Sequence, residues 1–291
     1  MRSHHGLVAL AAISAVCLGL APGRNAWASS DLDPVRVETV SYANVKLTVL
    51  DQGHGPAIVM IPSLGRGAAD FDDLASRVAA AGFRVLRLQP RGIDGSTGPM
   101  TGITLRDLAS DVAHVITTSG AGRAVVLGHG DGNRIARATA AYDPALVSAV
   151  ILVAAGGKAP PDAEARAALT ATFDRSLPDD VHLSKVATAF FAPGHNPAVW
   201  RDGWYPATAR MEAVAGAATP ISDWWTAGSA PVLVVQGNQD RIAPPANADL
   251  LKQDIGARVD VVRIDGAGHA LLPEQPEKLA QVVIGYLHAH H

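Results

Sequence analysis

The sequence contains very little cysteine. Its 291 residues include one, Cys17, so the chain cannot form an internal disulfide or a metal site built from cysteines. Aromatic residues make up only 5%, and the formal net charge of −3 comes without any basic cluster. Such a chain gives no electrostatic reason to expect nucleic acid as a partner. The hydrophobic share of 48% is nevertheless that of an ordinary globular protein.

Cofactor motifs are missing as well. The sequence has no His-Glu-x-x-His pattern, no Walker-type phosphate loop and no dinucleotide fingerprint. The closely spaced glycines Gly128, Gly130 and Gly132 do not have the spacing of that fingerprint. We therefore expect no cofactor and no bound metal, and a small molecule as substrate or ligand.

The first 28 residues have the features of a secretion signal. Arg2 supplies a positive start, and residues 7–20 form an apolar run that is short for a bilayer span. An Ala-Trp-Ala triplet at residues 26–28 predicts cleavage after Ala28, and hence a secreted or periplasmic protein. A buried N-terminal helix or a membrane anchor is the alternative. No second apolar span follows, so we expect no stable membrane span after cleavage.

The rest of the chain alternates between short apolar runs and amphipathic stretches. This alternation predicts an α/β fold with a mostly parallel central sheet flanked by helices. The expected strands are residues 35–40, 45–51, 57–61, 83–88, 124–127, 150–154, 232–236 and 259–264. The expected helices are residues 70–81, 104–118, one from about 133, 247–255 and 273–287.

The alternation is interrupted between residues 158 and 230. This stretch has helical pieces, several prolines and no clear strand, so we expect a helical cap inserted into one α/β core of residues 29–157 and 231–291. The segment carries every tryptophan that follows the signal. These four side chains either line an apolar substrate pocket or simply pack the cap. They are Trp200, Trp204, Trp224 and Trp225.

The turn after the 124–127 strand carries the clearest chemical signal. It reads Gly-His-Gly-Asp-Gly-Asn from Gly128, and a strand entering a helix through small-x-nucleophile-x-small is a nucleophile elbow. Small flanking residues allow a sharp turn that projects the central side chain. Here the flanking residues are Gly128 and Gly132, so the central position is Gly130. Glycine has no side chain to offer as a nucleophile.

Two later loops complete the pattern. Asp240 follows the 232–236 strand, and His269 follows the 259–264 strand. With the loop at residues 89–96, these motifs resemble the α/β-hydrolase fold family of esterases, lipases and epoxide hydrolases. The order elbow, acid, histidine is the order in that family. The resemblance covers residues 35–288, with Gly130 as its departure.

The resemblance implies roles for the site residues. Asp240 would orient His269, which would act as general base. The backbone N–H groups of Leu64 and Asp131 would form the oxyanion hole. Because the usual serine is missing, the ordinary acyl-enzyme route is not available at Gly130.

Four interpretations remain open. Asp131 could be the nucleophile in an elbow shifted by one residue. Ser63, or a water activated by His269, could attack the substrate. The His-Asp dyad could instead serve as a base without a covalent step, as in lyases, isomerases or cofactor-free oxygenases. Finally, the protein could be an inactive member that binds a small ligand. We favour an atypical hydrolase acting on a small, largely apolar ester, lactone or epoxide.

Overall fold

A single mixed sheet forms the centre of the fold. The structure, a computed structural model, describes Met1 and residues 34–290, and the predicted signal peptide lies outside the described residues. The strands are β1 (Arg36–Tyr42), β2 (Val45–Gln52), β3 (Ala57–Ile61), β4 (Arg84–Leu88), β5 (Ala124–His129), β6 (Val147–Val153), β7 (Val232–Gly237) and β8 (Val259–Ile264).

The strand order across the sheet is β1-β2-β4-β3-β5-β6-β7-β8. β1 pairs antiparallel with β2, and β2 pairs antiparallel with β4. All other neighbours run parallel, from β4 through to β8. The expected mostly parallel sheet with an opening hairpin is thus confirmed.

Helices cover the sheet on both faces. They are α1 (Asp72–Ala80), α2 (Leu105–Thr118), α3 (Gly132–Tyr142), α4 (Ala163–Ala171), α5 (Asp179–Phe190), α6 (Pro206–Ala218), α7 (Ala246–Ile255), α8 (Leu271–Glu274) and α9 (Pro276–Ala289). Every residue of β3, β5 and β7 is buried, because parallel strands joined by helical crossovers are covered on both sides. β1, at the sheet edge, is mostly exposed.

Two elements differ from the sequence-based expectation. β6 begins at Val147 rather than at residue 150, because the polar Ser148 continues the strand ahead of the apolar run. The helix expected over residues 273–287 is two helices, α8 and α9. Gln275 separates them with φ −139° and ψ 53°, and the proline that follows disfavours helical backbone at that residue. Pro276 then starts α9, where its missing N–H costs nothing.

The segment between β6 and β7 contains α4, α5, α6 and short 3-10 turns, without a strand among its described residues. Phe190, Trp200 and Trp204 form a local apolar cluster there with α4 side chains and Ala270. Met211 and Ala215 of α6 instead pack into the large core on one face of the sheet. The inserted segment is therefore attached to the core by α6 and by its own aromatic cluster.

The parallel strands all point their carboxyl ends at one edge of the sheet. Ser63 follows β3, Gly130 follows β5, Asp240 follows β7 and His269 follows β8. Loops at this edge are where ligands bind in open α/β sheets. Within residues 34–290, no helix is both long and apolar enough to span a membrane.

Candidate active site

The turn between β5 and α3 has the strand–turn–helix form of a nucleophile elbow, with Gly130 at its apex. Gly130 has φ +54°, a left-handed conformation that disfavours side chains, whereas Asp131 is helical with φ −68°. A Cβ on Gly128 would lie 2.3 Å from the carbonyl oxygen of Gly132, and one on Gly132 would lie 2.4 Å from that of Pro62. Glycine is thus required at both flanking positions, because neighbouring backbone atoms lie too close to leave room for a Cβ.

His269 and Asp240 form a buried hydrogen-bonded pair. His269 Nδ1 lies 2.9 Å from Asp240 Oδ2 and 3.2 Å from Oδ1. The Asp240 carboxylate is held in place by the backbone, since its Oδ1 accepts hydrogen bonds from the N–H groups of Ile242 (2.9 Å) and Ala243 (2.7 Å). A carboxylate held in this way keeps the proton of the imidazole on Nδ1 and leaves Nε2 as the basic nitrogen.

Hydrogen bonds to Phe190 and Glu274 hold the His269 loop. The carbonyl oxygen of Phe190 accepts hydrogen bonds from the N–H groups of His269 (2.8 Å) and Ala270 (2.9 Å). The Glu274 carboxylate accepts from Gly268 N–H (2.7 Å) and from Ala192 N–H in the inserted segment (2.6 Å). Burial raises the pKa of Glu274. Sequence reasoning missed Glu274, for which the only signal is an acid in an otherwise apolar turn.

His129, next to the elbow, supports the same loop from inside. It is fully buried, and its Nε2–H donates a hydrogen bond to the carbonyl oxygen of His269 at 2.9 Å. Burial, together with the nearby His269, lowers the pKa of His129 to about 3. His129 is therefore a neutral residue with a structural role. The sequence analysis did not predict this role.

Ser63 occupies the space above Gly130. A Cβ built on Gly130 would lie 2.1 Å from Ser63 Oγ and 2.8 Å from Ser63 Cβ. The same point is 2.9 Å from His269 Nε2. The Ser63 hydroxyl thus lies close to the point where an elbow side chain would begin, and His269 Nε2 approaches the same point. Its Oγ makes no hydrogen bond with any residue of the described chain and lines the cavity.

Two backbone N–H groups are available at this point. In the part of the chain that the structure describes, neither Leu64 N–H nor Asp131 N–H donates a hydrogen bond. Leu64 directly follows Ser63, and Asp131 directly follows Gly130. Free N–H groups beside a nucleophile are what an oxyanion hole needs.

The Ser63 loop is fixed by the inserted segment. Gly65 N–H donates to the Glu212 carboxylate of α6 (2.7 Å), and Gly65 carbonyl oxygen accepts from Tyr205 N–H (2.9 Å). Burial and the nearby Asp131 raise the pKa of Glu212 well above its usual range. Arg66 pairs with Asp70 and donates to the carbonyl oxygen of Asp202. The sequence analysis did not predict these contacts, because their only signal is a single acidic residue, Glu212, in an alanine-rich helix.

The Asp131 carboxylate pairs with Arg134 and makes no hydrogen bond with His269 or Asp240 in the described structure. Its Oδ1 lies 3.3 Å from Arg134 Nε, and its Oδ2 is buried without a hydrogen-bond partner among the described residues. The helical backbone at Asp131 also lacks the left-handed conformation of the elbow apex. The geometry therefore gives no support to Asp131 as the nucleophile, while its backbone N–H remains at the oxyanion position.

A buried arginine, Arg137, is linked to the turn at Gly130 by hydrogen bonds through Asn133. Arg137 donates to the carbonyl oxygen of Gly156 (2.6 Å) and to the side chain of Asn133, whose amide in turn donates to Gly130 carbonyl oxygen. Its guanidinium lies 4.5 Å from the ring of Trp224 and 4.9 Å from that of Trp225. Burial lowers the pKa of Arg137.

The four tryptophans are buried and do not line the cavity at Gly130. Trp224 and Trp225 pack against Arg137, and the guanidinium of Arg66 lies over both Trp200 and Trp204. Their observed contacts are packing contacts in the two apolar clusters. We do not propose them as substrate contacts.

A cavity of about 460 Å³ opens at the site. Ser63, Gly130 and His269 lie at its wall, and Leu64, Leu169, Phe190 and Ile242 supply much of its apolar lining. Its size and lining suit a small organic molecule. Among the described residues, no group of His, Cys, Asp and Glu side chains is arranged to hold a metal ion. The site brings together a carboxylate-paired imidazole, a hydroxyl and two free backbone N–H donors, which are the groups that acyl transfer requires.

Comparison with known proteins identifies the family. Residues 58–282 match the model of the alpha/beta hydrolase family. The chain therefore belongs to the alpha/beta hydrolase family.

Individual relatives are distant. A 2-(acetamidomethylene)succinate hydrolase of Mesorhizobium japonicum is 26% identical over 273 residues, covering 86% of this chain and 94% of that protein. A non-heme chloroperoxidase of Streptomyces lividans is 27% identical, with 76% and 87% covered. The crystal structure of the enol-lactonase from Burkholderia xenovorans LB400 superimposes with a TM-score of 0.72 at 23% identity, covering 86% of this chain and 99% of that one. This last likeness shows the fold.

Proposed function

We propose that the protein hydrolyses small esters or lactones, with Ser63 as nucleophile, His269 as general base and Asp240 as the residue that orients it. One observation carries this proposal: Ser63 Oγ lies 2.1 Å from the point at which an elbow side chain on Gly130 would start, and His269 Nε2 lies 2.9 Å from that point. The serine comes from the β3 loop instead of the elbow.

The steps follow those of serine acyl transfer. Ser63 Oγ attacks the carbonyl carbon while its proton passes to His269 Nε2. The oxyanion accepts hydrogen bonds from the N–H groups of Leu64 and Asp131. The intermediate collapses, His269 gives its proton to the leaving alcohol, and an acyl group stays on Ser63. Water then attacks this ester with His269 again as base, which releases the acid and restores the serine.

The relatives support the general reaction class. Their names include a succinate-derivative hydrolase and an enol-lactonase, both of which act on small carbonyl compounds by name. The cavity of about 460 Å³ is of a size for such molecules.

The test is turnover of short- and medium-chain 4-nitrophenyl esters, lactones and epoxides by the wild type, Ser63→Ala and His269→Ala. We expect both variants to lose activity by about 10⁵–10⁶-fold in kcat, as when the nucleophile of a triad is removed. Ser222→Ala, an exposed serine outside the cavity, is the matched control and should retain full activity. Activity that survives in Ser63→Ala and disappears in His269→Ala would indicate direct attack by water.

Other outcomes separate the remaining interpretations. Loss of activity in Asp131→Asn with full activity in Ser63→Ala would indicate an aspartate nucleophile. An absence of turnover on every ester, lactone and epoxide would favour non-hydrolytic base chemistry or ligand binding, and would contradict the proposal.

We also propose that the protein is exported after removal of residues 1–28. The support is the order of a positive start, an apolar run and a small-x-small triplet before Ser29. Intact mass of the protein recovered from the cell envelope or medium should correspond to a chain that starts at Ser29, whereas an uncleaved chain would contradict this.

A further inference from the structure

The charged side chains at the cavity are unbalanced. Three cations line it, Arg134, Lys158 and Arg166, against one carboxylate, Asp131. The chain as a whole has a net charge of −3, so this excess of positive charge is local. A cleft lined by one sign of charge concentrates ligands of the other sign.

Two of the three cations already face an acid. Arg134 Nε lies 3.3 Å from Asp131 Oδ1, and Lys158 Nζ lies 2.6 Å from Asp254 Oδ2. Each has its charge compensated within the protein. Neither leaves a full positive charge for a ligand.

Arg166 is different. Its guanidinium makes no hydrogen bond or ion pair with any residue in the range 34–290. The acids nearest to it along α4 are Asp162 and Glu164, and both are engaged by Arg241, at 2.6 Å and 2.7 Å. Arg166 thus stands at the cavity with an uncompensated charge.

The placement of Arg166 on α4 directs it to the mouth of the cavity. It is exposed, yet it lines the same cavity as Ser63 and His269. Leu169, one helical turn farther along, lines the cavity too, so this face of α4 supplies both a cation and an apolar contact. Phe190 and Ile242 extend the apolar wall.

We infer that Arg166 binds a carboxylate of the substrate, so that the substrate is a small ester or lactone with a free carboxylate and a short apolar segment before the reactive carbonyl group. A guanidinium presents two parallel N–H donors that match a carboxylate. This inference rests on the proposed function, since it places the carbonyl group at Ser63.

The experiment uses two esters of equal chain length. Mono-4-nitrophenyl adipate ends in a carboxylate, and 4-nitrophenyl hexanoate ends in a methyl group. We expect the wild type to prefer the adipate ester in kcat/KM. Arg166→Ala should lower that preference about tenfold, the factor that corresponds to roughly 1.4 kcal/mol, and leave hexanoate turnover unchanged. Arg166→Lys should recover part of the preference, since it keeps the charge without the paired donors.

Arg210→Ala is the matched control. Arg210 is also an exposed arginine on a helix of the inserted segment, but it does not line the cavity. It should retain the full preference. A preference that is absent in the wild type, or that Arg166→Ala leaves intact, would overturn the inference while hydrolysis itself continues.

A binding measurement separates this inference from the proposed function. Adipate titrated into the wild type by calorimetry should bind about tenfold more tightly than into Arg166→Ala, whether or not either ester is hydrolysed. If neither ester is turned over but adipate shows this difference, the proposed reaction fails and the carboxylate site stands. Equal affinity of adipate for the two proteins, or no binding to either, overturns the carboxylate site.

Discussion

Ser63 Oγ lies 2.1 Å from the point at which a Cβ on Gly130 would stand. The hydroxyl of the β3 loop therefore occupies the space that a side chain at the apex of the β5–α3 turn would need. His269 Nε2, 2.9 Å from that point, faces the same space. Since Leu64 follows Ser63 and Asp131 follows Gly130, both free N–H groups stay in place whichever loop carries the serine. The proposed nucleophile on the β3 loop and a side chain at the elbow would therefore use the same two N–H donors.

The first prediction concerns the crowding at Gly130. Gly130→Ala should destabilise the protein, because its Cβ would clash with Ser63 and the residue has φ +54°. We expect a loss of about 2–3 kcal/mol in the free energy of unfolding, as for a strained, overpacked site. Combined with Ser63→Gly, the same substitution should cost clearly less, since the clash with Ser63 is removed and only the backbone strain and the 2.9 Å approach to His269 Nε2 remain. Urea unfolding of the four proteins measures the coupling, and strictly additive effects would contradict the contact.

The same crowding affects an attempt to restore the usual serine. Gly130→Ser alone should be unstable and poorly active, because its Cβ meets Ser63 Oγ. Ser63→Gly with Gly130→Ser should be more stable than Gly130→Ser alone and should be active, because the hydroxyl then projects from the elbow toward the same base and donors. Ester turnover and thermal unfolding of both variants test this. A double variant as inactive as Ser63→Gly alone would show that the elbow cannot present a nucleophile.

The third prediction concerns Asp240. In Asp240→Asn the side-chain oxygen can still accept from Ile242 and Ala243, so the amide nitrogen faces His269 Nδ1. That arrangement favours the wrong imidazole tautomer, and we expect kcat to fall by about 10⁴-fold. Asp260→Asn, an exposed aspartate on β8, is the control and should leave kcat unchanged. Wild-type activity in Asp240→Asn would remove Asp240 from the mechanism.

The fourth prediction uses the pKa of His129. Burial lowers it to about 3, below the usual value of 6.5, so the unfolded chain binds the extra proton first as the pH falls. The stability linked to His129 is thus present above pH 6.5 and is lost progressively toward pH 3. Between pH 7 and pH 5 we expect the wild type to lose about 2 kcal/mol more than His129→Gln.

Urea unfolding at both pH values provides this comparison. His288→Gln, which changes an exposed histidine, serves as the control and should follow the wild type. An identical pH dependence for the wild type and His129→Gln would show that His129 is not held neutral.

Sequence patterns were sufficient for the fold and for part of the site. Apolar runs bounded by glycine and proline predict the parallel strands, and the loops after β5, β7 and β8 identify Gly130, Asp240 and His269, because strand ends meet at one sheet edge. Ser63 was one of several open candidates. Its position beside Gly130 depends on the distance between two loops that are far apart in the sequence. The spacing of apolar residues along the chain does not predict that distance.

The supporting contacts were harder still to foresee. Glu212 and Glu274 each accept hydrogen bonds from backbone N–H groups in distant loops, and such pairings depend on tertiary packing. A lone glutamate in a helix is ordinarily a solvated residue. The sequence drew attention to the tryptophans as possible cavity residues. Packing residues and cavity-lining residues look alike in a sequence, and the structure is needed to distinguish them.

The most direct test of the central claim is to map the residue that a fluorophosphonate ester labels. Such a reagent forms a covalent adduct with a serine that an adjacent base activates. We predict one adduct on the wild type, located on Ser63 by peptide mass spectrometry, and no adduct on Ser63→Ala or His269→Ala. No adduct on the wild type, or an adduct on another residue, would contradict the account.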